Sequence, residues 1–512
     1  MVFYISVCIV AALVIWGAVD PDKLSTTATD LLTFTTNTFG WFFLIVTFGF
    51  LIFSLYLAFS RFGNIKLGQQ GDEPEYSNVS WFAMLFSAGM GIGLVFWGVA
   101  EPIDHYINPP VGVAPNTADS ARAALRYSFF HWGLQPWAIY AIIGLALAYF
   151  KFRKNARGLI SATFYPLLGE RVNGPIGKTI DVLSILATVF GVATSLGLGT
   201  LQINGGLHQV FGVPVSIVIQ ISIIVVVTVL FLISATTGLD KGIKILSNAN
   251  LLIALALLIL TFVFGPTFFI LDTFTTTLGD YLENLVHMSL HLTPFTQSKW
   301  IANWTLFYWA WWIAWAPFVG MFIARVSKGR TIKEFIVGVL IVPSIFSFIW
   351  FTVFGGTALH FQMFNHANIV QIVQKDVTSA LFVTLSHLPL GGLISVIAIV
   401  LIITFFVTSA DSATFVLGMM SSKGNLNPSN VVKLIWGVLQ SLIALVLLLS
   451  GGLKGLQTAS IIAALPFSII MVFMCISMYR AFQTEYLQEK ERLRERERKL
   501  DSLLHKATIK IK

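Results

Sequence analysis

The chain has 512 residues, of which 56% are hydrophobic and 11% charged, and its mean hydropathy is +0.81. That balance excludes a water-soluble multidomain enzyme and describes a chain dissolved in lipid. The net charge of +8 is read as a topology signal with contact to anionic lipid, and nucleic acid need not be invoked.

Apolar runs long enough to cross about 30 Å of hydrocarbon predict an all-α polytopic membrane protein. Twelve spans are expected, at 3–19, 41–59, 79–100, 132–150, 176–201, 213–234, 245–271, 301–324, 335–356, 393–417, 432–449 and 459–479. The first has no positively charged n-region, and its apolar core is longer than a signal peptide usually carries, so it is read as a membrane helix. Cys8 and Cys475 both fall inside spans, so neither is placed for an external disulfide or a metal pair.

The third span contains Phe86-Ser87-Ala88-Gly89-Met90-Gly91-Ile92-Gly93. Each glycine weakens a helix by about 1 kcal/mol relative to alanine. Non-helical backbone at membrane depth survives only where it lines a cavity or is buried in protein, so this stretch is expected to open toward a site. The competing reading is close helix packing through small residues. The fourth span begins with Trp132, Trp137 and Tyr140, the last two sharing a helix face. They wall a cavity or anchor the interface, and His131 is expected at the interface.

The eighth span runs from 301 to 324 without a formal charge and holds Trp304, Trp309, Trp311, Trp312 and Trp315, then Pro317 and Gly320. Tryptophans normally gather at the water interfaces. Trp311, Trp312 and Trp315 fall near mid-span, which predicts a cage for a poorly hydrated cation, because indole faces attract positive charge. In the tenth span, Thr408-Ser409-Ala410-Asp411-Ser412 contains the acid read as lying deep inside a span. A charge there costs about 2.5–3.5 kcal/mol, so Asp411 is a functional candidate or a hydrogen-bonding helix partner. The adjacent hydroxyls of Thr408 and Ser409, with broken-helix carbonyls, would make an all-oxygen shell for a hard cation such as sodium.

The tail from 485 to 512 is strongly charged, with Glu489–Arg492, Glu491–Arg494 and Glu495–Arg498 spaced i,i+3 and a stripe of Leu493, Leu500 and Leu504. A helix is predicted, either a solvated tail or a regulatory arm that touches anionic lipid or inner loops and responds to salt. With the N-terminus inside, the inner segments hold 26 of the 32 lysines and arginines and the outer ones 6, which places both termini in the cytoplasm.

The third and eighth spans each begin a set of five, and an odd number gives the two sets opposite orientation. The organisation expected is two additional helices (1–60), a first inverted repeat (79–272), a second (301–480) and a charged cytoplasmic helix (481–512). Paired interrupted spans in two halves point to a midplane site in a secondary transporter. No phosphate-binding glycine loop or ATPase module is present and the nine histidines read as scattered, so neither an enzyme nor a cofactor is expected.

Ala88-Gly89-Met90-Gly91-Ile92-Gly93 through Ala100-Glu101-Pro102 is similar to the glycine stretch of the betaine/carnitine/choline transporter family. Trp309-Ala310-Trp311-Trp312-Ile313-Ala314-Trp315-Ala316-Pro317-Phe318 resembles that family's most specific signature. The resemblance covers nearly all twelve spans and is nearest to bacterial glycine betaine transporters used for osmoprotection. It implies a sodium-coupled, inverted-repeat fold in the bacterial cytoplasmic membrane, assembled as a homotrimer and activated by hyperosmotic stress.

By the same resemblance, Trp132, Trp137, Tyr140 and Trp312 would cage the substrate ammonium, with Trp311 and Trp315 serving the central or inward-facing site. The substrate carboxylate would meet N–H groups near Ala88 and Gly89 and the hydroxyl of Ser195. One sodium would be held by carbonyls of Ser87, Met90 and Phe405 and the hydroxyls of Thr408 and Ser409. A second family sodium site matches Thr188 and Phe318, but Val192 stands where an oxygen is expected. Gly93 suits a zwitterion, since choline-preferring relatives tend to carry an acid there. The alternatives are a sodium-independent exchanger, a proton-coupled carrier of choline or carnitine, and a membrane osmosensor with little flux.

Overall fold

The computed structural model describes residues 1–89, 91–237 and 240–511, the side chains of 88–89, 240–244 and 501–511 excepted. Met90 therefore lies outside the described residues, as do the side chains of Ala88, Gly89, Lys241, Lys244 and Leu504.

The described chain is all-helical apart from one isolated antiparallel bridge, Lys66 to Thr331. In order come α1 (Val2–Val19), α2 (Pro21–Phe59), α3 (Asn78–Gly89), α4 (Ile92–Ile107), α5 (Ala118–Trp132) and α6 (Leu134–Ala148). Next are α7 (Tyr165–Leu168), α8 (Pro175–Phe211), α9 (Ile217–Thr237), α10 (Asp240–Phe264), α11 (Thr267–Ser289) and α12 (Phe307–Val326). The series ends with α13 (Ile332–Phe364), α14 (Ile369–Lys375), α15 (Ala380–Ser386), α16 (Gly391–Ser421) and α17 (Asn430–Ile511).

Among the described residues, ten helical stretches are long and apolar enough to cross a membrane, and α3 with α4 makes an eleventh, bent by 65° across the predicted glycine stretch. The stretch 430–511 is broken at Gly452, whose φ of 56° and ψ of −136° are non-helical, which divides it into the two spans expected at 432–449 and 459–479. The chain is thus a multi-pass membrane protein.

Several helices run past the expected bounds, α2 starting at Pro21 and α8 ending at Phe211, and two differences bear on the site. The fourth span begins at 118, with Gly133 interrupting α5 and α6, because Asp119, Arg122 and Arg126 depress hydropathy over a segment that tertiary contacts bury. Of that stretch's most apolar window, 94% is buried, against 17% for Ile217–Thr237, so α5 and α6 are central and α9 faces lipid. The seventh span stops at Phe264 rather than 271, and after Pro266 the chain starts a separate helix, α11. Proline fits there because the first turn of a helix has no carbonyl for its N–H.

The connections expected on one face meet one another. Leu67 N–H donates to the Arg330 carbonyl at 2.7 Å and Ile332 N–H to that of Ile65 at 2.9 Å, clipping the connection after α2 to the one after α12. Arg153 Nη1 reaches the Gly68 carbonyl at 2.9 Å, and Arg330 lies 3.9 Å over the ring of Trp81. On the opposite face, Trp300 Nε1 donates to the Asn108 carbonyl at 2.8 Å, and Arg122 pairs with Asp280 at 3.1 Å. The start of the tail belongs to the first face: Glu485 pairs with Arg153 and Lys154, each at 2.7 Å.

Candidate functional site

A cavity of about 1410 Å³ runs from that first face, where Tyr76, Lys151, Arg325 and Lys433 line it, to the middle of the helix bundle, where it meets Gly93, Trp132, Trp311 and Trp312. It follows α12 downward past Trp315 and Phe318. Behind Trp132 and Trp311 the rings continue: Trp97 packs on Trp304 with centroids 5.3 Å apart, and Tyr308 stacks on Trp304 at 6.2 Å.

The cage is built edge to face. Trp132 meets Trp312 with centroids 5.2 Å apart at 81° and Trp311 at 6.1 Å and 86°, while Tyr140 meets Trp312 at 5.0 Å and 62°. Such T-shaped contacts present ring faces to the enclosed space, where a cation is attracted by the quadrupole. Trp312 Nε1 donates to the His131 carbonyl at 3.1 Å, and Trp315 Nε1 to that of Gly191 at 2.7 Å. Trp137 is fully buried behind the cage, touching Tyr140 at 5.5 Å and Trp312 at 6.1 Å, and is not among the cavity-lining residues. Tyr140, Ser195 and Trp315 line the cavity; Trp309 is buried against Phe130.

The bent span contributes backbone. Ala88 and Gly89 fall in the last turn of α3, where the groups left without helical partners are carbonyls. Unpartnered N–H groups belong instead to the first turn of α4, and the cavity touches that turn at Gly91, Ile92, Gly93 and Leu94.

Ser87, Phe405, Thr408 and Ser409 line the same cavity, and so does Asp411, 5% exposed. Thr408 Oγ1 bonds the Thr404 carbonyl at 3.0 Å and accepts from Asn250 Nδ2 at 3.2 Å. Asn250, buried on α10, is a site residue that the sequence left unmarked, since a single asparagine in a span carries no pattern. Of the second sodium set, Phe318 lines the cavity. Thr188 is buried on α8 with its hydroxyl donated to the Ser184 carbonyl at 2.8 Å, and is not among the lining residues.

Asp411 is not the deepest acid. Glu101 is 0% exposed inside α4, one residue past the predicted end of its span. His131, expected at an interface, is equally buried, with Nδ1 2.7 Å from Glu101 Oε1 and Nε2 3.0 Å from Thr305 Oγ1. With His105 these side chains form a cluster of three possible metal ligands. The 2.7 Å separation is a hydrogen bond, tighter than the roughly 3.3 Å between two ligands of a tetrahedral zinc ion. The histidines are also less scattered than they read in sequence: His287 and His291, spaced i,i+4, bring their rings within 4.7 Å on the face opposite the cavity mouth.

A bent membrane helix and a deep cavity that ends on an aromatic pocket define a carrier of small molecules rather than an enzyme. The chain belongs to the betaine/carnitine/choline transporter family, whose model matches residues 1–487. It is 54% identical over 487 residues to the glycine betaine transporter OpuD of Bacillus subtilis, covering 94% of each chain. It is 51% identical to the ectoine/hydroxyectoine transporter of Virgibacillus pantothenticus, covering 94% of this chain and 95% of the other. It is 46% identical to a probable glycine betaine transporter of Desulfitobacterium hafniense, covering 95% and 98%.

Proposed function

We propose that this protein imports glycine betaine, driven by a sodium gradient. The observation that carries the reading is the aromatic cage at the inner end of a cavity whose other wall holds Thr408 and Ser409. A quaternary ammonium cannot donate hydrogen bonds, so ring faces are the surfaces that compensate its dehydration, by about 2 kcal/mol or more per desolvated contact. The carboxylate of the same zwitterion would be met by the first turn of α4, near Ile92 to Leu94, whose N–H groups and helix dipole favour an anion. This moves the expected donors past the bend from Ala88 and Gly89, with Ser195 still within the cavity wall. Sodium would sit between the α3 end and α16, at Ser87, Phe405, Thr408 and Ser409.

The inverted five-helix repeats, cytoplasmic termini, bacterial cytoplasmic membrane and homotrimer are part of this reading. They are supported by the bent third span, the charge bias of the loops and the family match. Activation by hyperosmotic stress through the charged tail is supported by its anchoring at Glu485 and its proximity to inner loops, where anionic lipid would compete.

Radiolabelled glycine betaine uptake into proteoliposomes, with the sodium gradient and external osmolarity varied independently, tests the reading. Uptake should require sodium, and betaine should outcompete choline. Ectoine is the other competitor to include, given the relative that carries it. Trp312→Leu should abolish uptake in a folded protein; accumulation undiminished by that change would reject the cage.

A further inference from the structure

We propose that Glu101 is a positioning residue for the substrate cage, acting through the indole of Trp132. The proposal rests on the reading of the cavity as a quaternary ammonium site.

The geometry converges on one carboxylate. Glu101 Oε2 accepts from Trp132 Nε1 at 3.0 Å and from the Tyr308 hydroxyl at 2.5 Å. Oε1 is bonded to His131 Nδ1 at 2.7 Å and His105 Nε2 at 3.3 Å. Four donors from α4, α5 and α12 therefore compensate one carboxylate with no exposure to solvent. Stability alone does not account for such a network, since replacing a whole buried ionic cluster by apolar side chains is often neutral, although removing the carboxylate by itself strands its donors. What the carboxylate does instead is fix rings. It holds the Trp132 N–H directly, and it holds His131, whose carbonyl receives the Trp312 N–H at 3.1 Å. Thr305, in the π-helical turn Ala302–Leu306 that leads into α12, braces the far side of the same imidazole. Two of the three tryptophans at that end of the cavity, Trp132 directly and Trp312 through His131, thus hang from Glu101.

Two consequences follow for a bound cation. The indole plane of Trp132 is fixed with its outer edge toward Gly93 and Trp311, so the cage is formed before substrate arrives, which lowers the ordering cost of binding. A hydrogen bond from the indole N–H to a carboxylate also polarises the ring and makes its face more negative, strengthening attraction for a cation that Glu101 never touches.

A double-mutant cycle tests this in proteoliposomes. Glu101→Gln keeps an oxygen for Trp132 and Tyr308 but removes the charge, and its amide N–H faces His131 Nδ1, which must give up its proton to accept. Its KM for glycine betaine should rise about tenfold, and the preference for betaine over dimethylglycine, measured by competition, should shrink. In a Trp132→Phe background, which keeps a ring and lacks the N–H, the same change should move KM less than twofold. Equal effects in the two backgrounds, or an unchanged betaine preference with a loss confined to maximal rate, would overturn the proposal. If Glu101→Gln fails to fold, Tyr308→Phe strips one donor from the same oxygen and should raise KM about threefold; no rise would count against it. A wild-type protein without betaine uptake would reject the transport reading itself, whereas wild-type uptake with unaltered variants rejects only the role of Glu101.

Discussion

Gly93 lies against the edge of Trp311: a Cβ at residue 93 would stand 2.4 Å from Trp311 Cη2 and 3.3 Å from the corresponding atom of Trp132. Nothing shorter than glycine exists, so two cage rings are in contact with the backbone of the bent span. The glycine is required here by close approach.

Gly93→Ala should displace Trp311 and narrow the cage. The expected outcome is at least a tenfold loss in betaine kcat/KM, about 1.4 kcal/mol or more in transition-state binding, with Tm changed little because the indole can swing into the cavity. Proteoliposome kinetics beside a thermal melt in detergent check it, and unaltered kinetics would show that Trp311 has no fixed place in the site.

A hydroxyl has one proton and two lone pairs. The Thr408 proton goes to a helix carbonyl and one lone pair accepts from Asn250, so the remaining lone pair can meet a cation. Thr408→Ala should raise the sodium concentration for half-maximal uptake about tenfold, and Thr408→Ser should restore most of it. Sodium titrations of betaine uptake decide the matter: a normal sodium response in the alanine variant removes Thr408 from the ion site.

The parts of this site legible in sequence were those whose composition contradicts a lipid-facing helix. Mid-span tryptophans, alternating glycines and paired hydroxyls each have a cost in lipid, so each marked a wall of the cavity. Glu101 escaped because Pro102 and Asp104 end the hydropathic run at 100, although α4 continues buried to Ile107. Helix α5 escaped for the same reason, its arginines reading as a loop. The role of His131 is set by partners at 101 and 305, and no local pattern carries contacts that far along the chain.

Glu485 ties the tail to the connection after α6. Burial pushes its carboxyl pKa up, but hydrogen bonds from Lys154, Tyr149 and Arg153 outweigh that and hold it below the usual range. A depressed folded-state pKa means the contribution is fully present above the unfolded value of about 4.3 and is lost as pH falls through the folded value. Wild-type Tm in detergent should therefore fall below about pH 4.5 more steeply than that of Glu485→Gln. At pH 7 the variant should be less stable by roughly 1.5–3 kcal/mol, the worth of hydrogen bonds to a charged group. Parallel melting curves for the two proteins would show that the tail is not anchored through this carboxylate.

Gly452 separates two spans with a single non-helical residue at φ 56° and ψ −136°, and a Cβ there would meet no atom within 4 Å. Space is therefore not the constraint. The backbone conformation is, because L-residues with a side chain rarely occupy it, at a cost of about 1–3 kcal/mol. Gly452→Ala should lower Tm by an amount matching that strain while leaving the betaine KM of the surviving folded protein unaltered, since the residue is not among those lining the cavity. A variant as stable as the wild type would mean that the break between the last two spans adopts a conformation alanine accepts. The same comparison with Gly451→Ala, one residue earlier and without positive φ, isolates the effect of the dihedral from that of adding a methyl group.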